Sequence, residues 1–272
     1  MTTLDPGVRR LSVPPRPRRP RARAVAAVVT ALVVAAHVLA WRATDVSFGA
    51  LVDGWRGMAD FLGEAFPPAL SWDVLKPSLE GALTTLWIGL LGTTLSVPFS
   101  LALALLAARG TAPGWVYQAA RSVLSFLRSV PDVVFALVFV TAVGLGPFPG
   151  VLALVCHNVG VMGKLWAEAL EDADPGPATA LRSAGAGRLQ IAAHAQLPVV
   201  TPQLTGLLMY RFDVNVRSSL VLGLVGAGGI GFLINQSIRL FKFDEMLTHI
   251  LVVVVLIIAV DRLSAAVRAR LS

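Results

Sequence analysis

Charge is scarce in this chain. Only 14% of its 272 residues are Asp, Glu, Lys or Arg, against about 25% in an ordinary soluble domain. With 56% apolar residues and a mean hydropathy of +0.73, the chain has too little polar surface for a water-soluble globule, so it reads as an all-α, polytopic membrane bundle. Cysteine is almost absent. A lone Cys156 excludes an intrachain disulfide and a thiolate metal cluster, and its place in the apolar run VLALVCHNVG suits a small packing residue. No metal site is expected. The sequence also lacks a GxxxxGK[ST] loop, so it has no phosphate cradle of that kind for hydrolysing ATP; it reads as a non-enzyme that binds no cofactor itself. Acid is nearly missing from the first 23 residues, where Asp5 stands against seven arginines (Arg9, Arg10, Arg16, Arg18, Arg19, Arg21 and Arg23) and five prolines. Residues 1–23 are therefore expected to be a disordered basic tail, an anchor on the cytoplasmic side with an affinity for anionic lipid. No folded basic domain or aromatic platform accompanies it, which argues against nucleic-acid binding.

What is present is hydrophobic length. Apolar runs predict six spans, over residues 24–41, 79–108, 123–145, 150–166, 199–224 and 246–260. The first is too long for a signal-peptide core, so it is expected to stay as a helix. The second exceeds what a bilayer needs and contains Pro98, which predicts tilt, a kink or extension into water. Basic residues set the direction. With the N-terminus inside, the inner segments hold the 9–23 cluster, Arg109, Arg121, Arg128, Arg182, Arg188, Arg262, Arg268 and Arg270, whereas the outer ones hold only Arg42, Arg56, Lys76, Arg239 and Lys242. An even number of spans places both termini in the cytoplasm of a bacterium, under its plasma membrane. Residues 24–272 then form one transmembrane domain: a first helix and external segment over 24–76, and core helices over 77–272. Within 42–76, Trp41, Trp55 and Trp72 mark either an interfacial amphipathic helix or an ordinary loop.

A polar island over residues 167–198 interrupts the core and must face the cytoplasm. Asp174-Pro175-Gly176-Pro177 signals a turn, and residues 178–185 read as a short helix closed by Gly185. Small residues at Ala180, Ala184 and Ala186 would let that helix sit closely in a groove of another protein. Leu197-Pro198 then restarts a membrane helix.

The fifth span carries Arg211, Asp213, Asn215 and Arg217, about 20–28 Å along a straight helix from Pro198. Buried charge in a membrane is costly and points to function. Asp213 and Arg217 stand four apart with the acid first, the favourable order for a structural ion pair. Arg211, Asn215, Ser218 and Ser219 share another face, expected to line a pathway for an anion, since the guanidinium fork matches two oxyanion oxygens. The competing expectation is that all these charges merely hold helices together. Gly226 to Gly231 spells GAGGIG, with Asp244 beyond, but a dinucleotide site needs a soluble strand–turn–helix; these glycines instead suit a tight turn near the outer mouth. His157 and Asn158 suit interhelical hydrogen bonds, and Lys164 suits snorkelling to the inner interface.

Four segments, RSVPD (128–132), VGLGPFPGVLAL (143–154), MGKLWAEALEDADPGPATALRSAGAGRLQ (162–190) and YRFDVNVRSSLVLGLVGAGGIG (210–231), resemble, in this order, the membrane subunits of ABC importers. Among these, the chain is similar to the phosphonate-transport permeases (the PhnE family) over about residues 78–272. The resemblance implies a type I importer fold, transport of phosphonate or a related oxyanion such as phosphate, and four kinds of contact. These are two copies of a P-loop ATPase carrying ATP and Mg, a second permease chain, identical or paralogous, an extracytoplasmic solute-binding protein, and membrane lipid. It also implies that Thr179, Ala180, Leu181, Gly185, Leu197 and Pro198 belong to the loop that the ATPase moves. The family's loop opens with glutamate-alanine-alanine; here Thr179-Ala180-Leu181 stands in that place, which makes pairing with a second, non-identical permease plausible. The rival expectation is a secondary transporter driven by an ion gradient, with Asp213 as its deep carboxylate.

Overall fold

A computed structural model of the chain describes residues 20–271, all the regular structure among them being helical. The basic tail expected over 1–23 lies outside the described residues up to residue 19. Helix α1 (Pro20–Ala43) already begins at Pro20, so the last four residues assigned to the tail are helical. Proline suits a first helical position, where its missing N–H would have no partner anyway. The chain divides into two compact units, Met1–Ala59 and Asp60–Ser272, a boundary 17 residues before the expected start of the core at residue 77.

In the first unit, α1 is long and apolar enough to cross a bilayer over Ala24–Ala43. The stretch after it is largely helical: α2 (Phe48–Asp53), whose N-terminus is capped by Ser47 Oγ accepting the Ala50 N–H, and then α3 (Trp55–Ala65). Along α3, Trp55, Met58 and Leu62 are exposed at helical spacing, as an amphipathic interfacial helix requires.

The second unit is built on α4 (Trp72–Ala107) and α7 (Pro147–Asp172), the most extensively packed pair. At 36 residues α4 is about 54 Å long, well beyond a hydrocarbon core of about 30 Å, and it runs through Pro98 without a break. Apart from Ile88, its buried stripe is small: Ser78, Ala82, Thr85, Gly89, Gly92, Thr93, Ser96, Ser100, Ala104 and Ala107. Such residues let helices approach closely where lipid offers no hydrophobic driving force. A Cβ added at Gly92 would lie 2.6 Å from that of Leu154 on α7.

The third expected span is not one helix. It consists of α5 (Gly114–Ser129) and α6 (Asp132–Val143), bent by 85° at Val130-Pro131. Pro131 supplies no N–H and drives Val130 into extended conformation (φ −86°, ψ 120°), which ends α5. His157 Nδ1 lies 3.1 Å from the Val130 carbonyl at this break. After α7 come α8 (Pro175–Ser183), α9 (Arg188–Ile191), a π-helical turn (Ala192–Gln196) and α10 (Leu197–Leu224). After the glycine-rich turn come α11 (Ile230–Arg239) and α12 (Phe243–Leu271), which completes the unit. By length and apolarity, Ala24–Ala43, Trp72–Ala107, Pro147–Asp172 and Phe243–Val267 qualify as spans, and the bent α5–α6 pair as a fifth. The fifth expected span, residues 199–224, falls on α10, a 28-residue helix that carries Arg211, Asp213 and Arg217 and is not among those that qualify.

Candidate functional site

Helix α10 turns a polar stripe into the bundle. Arg211, Asn215 and Ser219 recur every four residues; Asn215 and Ser219 are fully buried and Arg211 is 8% exposed. The guanidinium donates to Asn158 Oδ1 on α7 through Nε (3.1 Å) and Nη2 (2.6 Å), and Nη2 reaches Asn215 Oδ1 at 3.4 Å. Asn158 is itself held by donating to the Gly92 carbonyl at 3.3 Å. Asn215 donates to Thr93 Oγ1 at 2.7 Å, and that hydroxyl donates to the Gly89 carbonyl. One turn on, Ser219 Oγ donates to the Thr85 carbonyl at 3.0 Å, while Thr85 Oγ1 accepts the Ile230 N–H at 2.9 Å. The stripe thus ties α10 to α4 and α7, with the start of α11 attached.

Asn158 and Asn215 are neutral, so they orient the guanidinium without cancelling its charge. None of these bonds uses Nη1, which carries two further donors. Asp132, the first residue of α6, lies within electrostatic reach of Arg211. Ser218, expected on the same face, is half-buried.

Asp213, the acid expected to pair with Arg217, lies within electrostatic reach of that guanidinium, and a second carboxylate joins it. Arg217 Nη2 makes its hydrogen-bonded ion pair with Asp261 on α12, at 2.7 Å. The edge of the packed face runs between the two α10 residues: Asp213 is buried and Arg217 is exposed. An i,i+4 spacing places two residues on neighbouring turns but does not choose between a partner on the same helix and one on the next. The glycine segment 226–229 forms the turn between α10 and α11, with positive φ at Gly226, Gly228 and Gly229. At the neighbouring Gly231 a Cβ would meet the Leu220 carbonyl at 2.0 Å, so the requirement is close approach of two helices.

At the opposite end lies the polar island. Asp174 Oδ1 caps α8 by accepting the Gly176 N–H, Pro175 occupies the first turn, and Gly185 (φ +83°) reverses the chain. The inner side of α8, Ala178 and Leu181, packs on Ile191, Ala195 and Ala186, which leaves Thr179, Ala180 and Gly185 exposed. Thr179 Oγ1 donates back to the Pro175 carbonyl at 2.7 Å, so this position presents no charge. Leu197 and Pro198 form the first turn of α10. Between α8 and the end of α7 is a polar cleft of about 310 Å³ whose walls include Glu171, Asp172, Asp174 and Arg182. Glu171 Oε1 anchors this end by accepting the Arg109 N–H and Arg121 Nη2, both at 2.9 Å. Tyr117, and less strongly Glu171, raise the pKa of the Arg109 guanidinium above its ordinary value.

Residues 97–272 match the family described as the binding-protein-dependent transport system inner membrane component. The chain belongs to this family. Among its relatives, the phosphite transport system permease protein PtxC of Stutzerimonas stutzeri is 43% identical over 219 residues, covering 80% of this chain and 79% of PtxC. The putative phosphite transport system permease protein HtxC of the same organism is 40% identical, over 92% of this chain and 87% of its own length. The phosphate-import permease protein PhnE of Mycolicibacterium smegmatis is 42% identical over 85% of this chain, which spans 43% of that longer protein. In fold, the permease superposes on a chain of the MetNI methionine ABC transporter in an inward-facing conformation, with TM-score 0.63 at 20% identity, over 75% of this chain and 100% of that one. The permease therefore has the all-α type I importer fold and is a non-catalytic membrane component of its transport system.

The interhelical roles of His157 and Asn158 were readable from the sequence. Thr85 and Thr93, which complete the stripe, were not: a threonine in an apolar helix looks the same whether it bonds its own preceding turn or a neighbouring helix. Asp261 was missed as a partner because it falls just past the apolar run.

Proposed function

We propose that this permease forms half of the membrane pathway of an ATP-driven importer for a small phosphorus oxyanion: phosphite, phosphate or phosphonate. The observation that carries the reading is Arg211, a buried guanidinium held in place by neutral amides. A positive charge fixed in this way attracts an oxyanion without a hydrogen-bonded carboxylate competing from the same amides. In this reading Arg211 meets the anion through Nη1, Asn158 and Asn215 orient it, Ser218 continues the face and Ser219 anchors α10 to α4. The names of the relatives, all phosphite, phosphate or phosphonate permeases, support the substrate class.

Coupling follows from continuity of the chain. The exposed face of α8, with Thr179, Ala180 and Gly185 and with Leu181 packed behind them, is where a P-loop ATPase, one of two copies carrying ATP and Mg, would push. The packed α8–α9 unit leads through the π-helical turn into Leu197 and Pro198, and so into the helix that carries Arg211. The island is then cytoplasmic, with both termini, and a solute-binding protein delivers the anion on the other side. Since Thr179 offers no charge, the second permease of the pair is a related chain that supplies the glutamate. Arg217 and Asp261 hold α10 to α12.

Purification from native membranes in mild detergent, with partners identified by mass spectrometry, tests this reading. A P-loop ATPase, an oxyanion-binding protein and a second permease are expected in fixed proportion. Recovery of the chain alone, with anion transport in ATP-free liposomes under an ion gradient, would replace it with a secondary transporter.

A further inference from the structure

A second basic site lies away from Arg211, near the end that carries α8. Between α4, α5 and α7 there is a cavity of about 90 Å³ lined by Ala107, Arg121, Leu124, Ser125, Lys164 and Ala167. At about 30 Å³ per water in the liquid, this is room for about three waters, comparable with one tetrahedral oxyanion. Its polar lining consists of two cations and a hydroxyl.

Arg121 is fixed on three sides. Nη2 donates to Glu171 Oε1 (2.9 Å), Nε donates to the Ala107 carbonyl (3.2 Å), and the guanidinium carbon stands 4.9 Å from the centre of the Tyr117 ring. None of these contacts uses Nη1. Lys164 is held more loosely. Its Nζ is 3.6 Å from Glu168 Oε1, beyond ordinary hydrogen-bond length, and lysine preceding glutamate is the weaker i,i+4 order. Its three ammonium donors are thus open to a better acceptor. Ser125 adds a hydroxyl one turn along α5 from Arg121. Apolar walls at Ala107, Leu124 and Ala167 lower the local dielectric and strengthen any charge-assisted bond made there.

We infer that Arg121, Ser125 and Lys164 form a binding site for a tetrahedral phosphorus oxyanion, separate from the Arg211 stripe. Basic pockets between membrane helices on the cytoplasmic side hold anionic headgroups in general. The same donors would equally take a free phosphate released on that side. The shared chemistry is a phosphate group on one rigid guanidinium, one mobile ammonium and one hydroxyl.

Native mass spectrometry of the purified complex separates the two sources. One sample is reconstituted with phosphatidylglycerol and phosphatidylcholine, and another is exchanged into detergent with inorganic phosphate. Retention of one phosphatidylglycerol in preference to phosphatidylcholine assigns a lipid headgroup. A saturable thermal shift with millimolar phosphate, at unchanged ionic strength, that persists in an Arg211→Leu background and is lost with Lys164→Gln assigns a free anion to this cavity. Lys164→Gln is expected to weaken whichever is bound by about fivefold, the loss of one basic contact. Lys164→Arg is expected to restore it. Arg211→Leu, which disables the proposed pathway arginine, is expected to leave it unchanged, so a failure here is distinguishable from a failure of the transport reading. Equal retention of both lipids and no phosphate shift in the wild-type complex would overturn the inference, as would Lys164→Gln binding like wild type.

Discussion

Asn158→Leu and Arg211→Leu should have opposite consequences, although the two side chains touch. Leucine at 158 keeps asparagine's branched outline, though bulkier, and removes the acceptor of two guanidinium hydrogen bonds, at 3.1 and 2.6 Å, together with the bond to the Gly92 carbonyl. Arg211 would keep its charge in a site 8% exposed, with Asn215 at 3.4 Å as its remaining amide partner. Leaving a buried charge short of its hydrogen-bond acceptor costs about 1.5–3 kcal/mol. For a unit of this size that corresponds to a fall in melting temperature of about 5–10 °C. Arg211→Leu removes the buried charge itself. Removing the desolvated charge offsets the cost of leaving Asn158 Oδ1 without its donors, so this variant should melt within about 1 kcal/mol of wild type while oxyanion uptake is lost. The double variant should recover most of the stability lost in Asn158→Leu. Scanning fluorimetry in nanodiscs, with uptake measured in parallel proteoliposomes, reads all three. An Arg211→Leu variant as unstable as Asn158→Leu, or one that still transports, would refute the reasoning and make Arg211 a structural tie.

Four further outcomes are expected. Gly160→Ala places a Cβ 2.5 Å from the Arg128 backbone nitrogen, so α5 must move; a loss of about 1–3 kcal/mol is expected. Gly206→Ala, with nothing within 4 Å of the added carbon, should gain up to about 1 kcal/mol; comparing the two melting curves checks both. Glu171→Gln weakens the charged contacts that tie Arg121 and the Arg109 amide to α7, and hydrogen exchange should accelerate across residues 108–113; unchanged protection there would count against Glu171 as the anchor. Charge reversal at Arg217 or Asp261 alone should loosen α12 from α10 and lower stability by up to about 1 kcal/mol, and the double reversal Arg217→Asp with Asp261→Arg should restore it, as melting curves would report.

Much of this architecture was legible because membranes make sequence patterns coarse. Long apolar runs marked α1, α4, α7 and α12, while the proline, glycine and acid punctuation of residues 174–185 marked α8 and its ends. The break at Val130-Pro131 was hidden because residues 123–145 remain apolar through it; hydropathy measures length in residues and does not register an 85° bend. The α10 face was recognisable from helical spacing, but its partners were not. Asn158, Thr93 and Thr85 stand on helices far away in sequence, and spacing along one helix contains no information about which neighbour faces it. The Arg217–Asp261 pair shows the same limit, since a local i,i+4 rule points to Asp213 and says nothing of the second carboxylate that the packing of α10 against α12 brings to Arg217.

The most direct test is uptake of radiolabelled phosphite and phosphate into proteoliposomes containing the complete complex, with its binding protein added outside and ATP enclosed with the ATPase. Uptake that requires ATP hydrolysis, is indifferent to collapse of proton and sodium gradients, and disappears in Arg211→Leu at normal assembly is the predicted result. Uptake that continues without ATP, follows an ion gradient, or persists in Arg211→Leu would contradict an ATP-coupled importer with its anion pathway at Arg211.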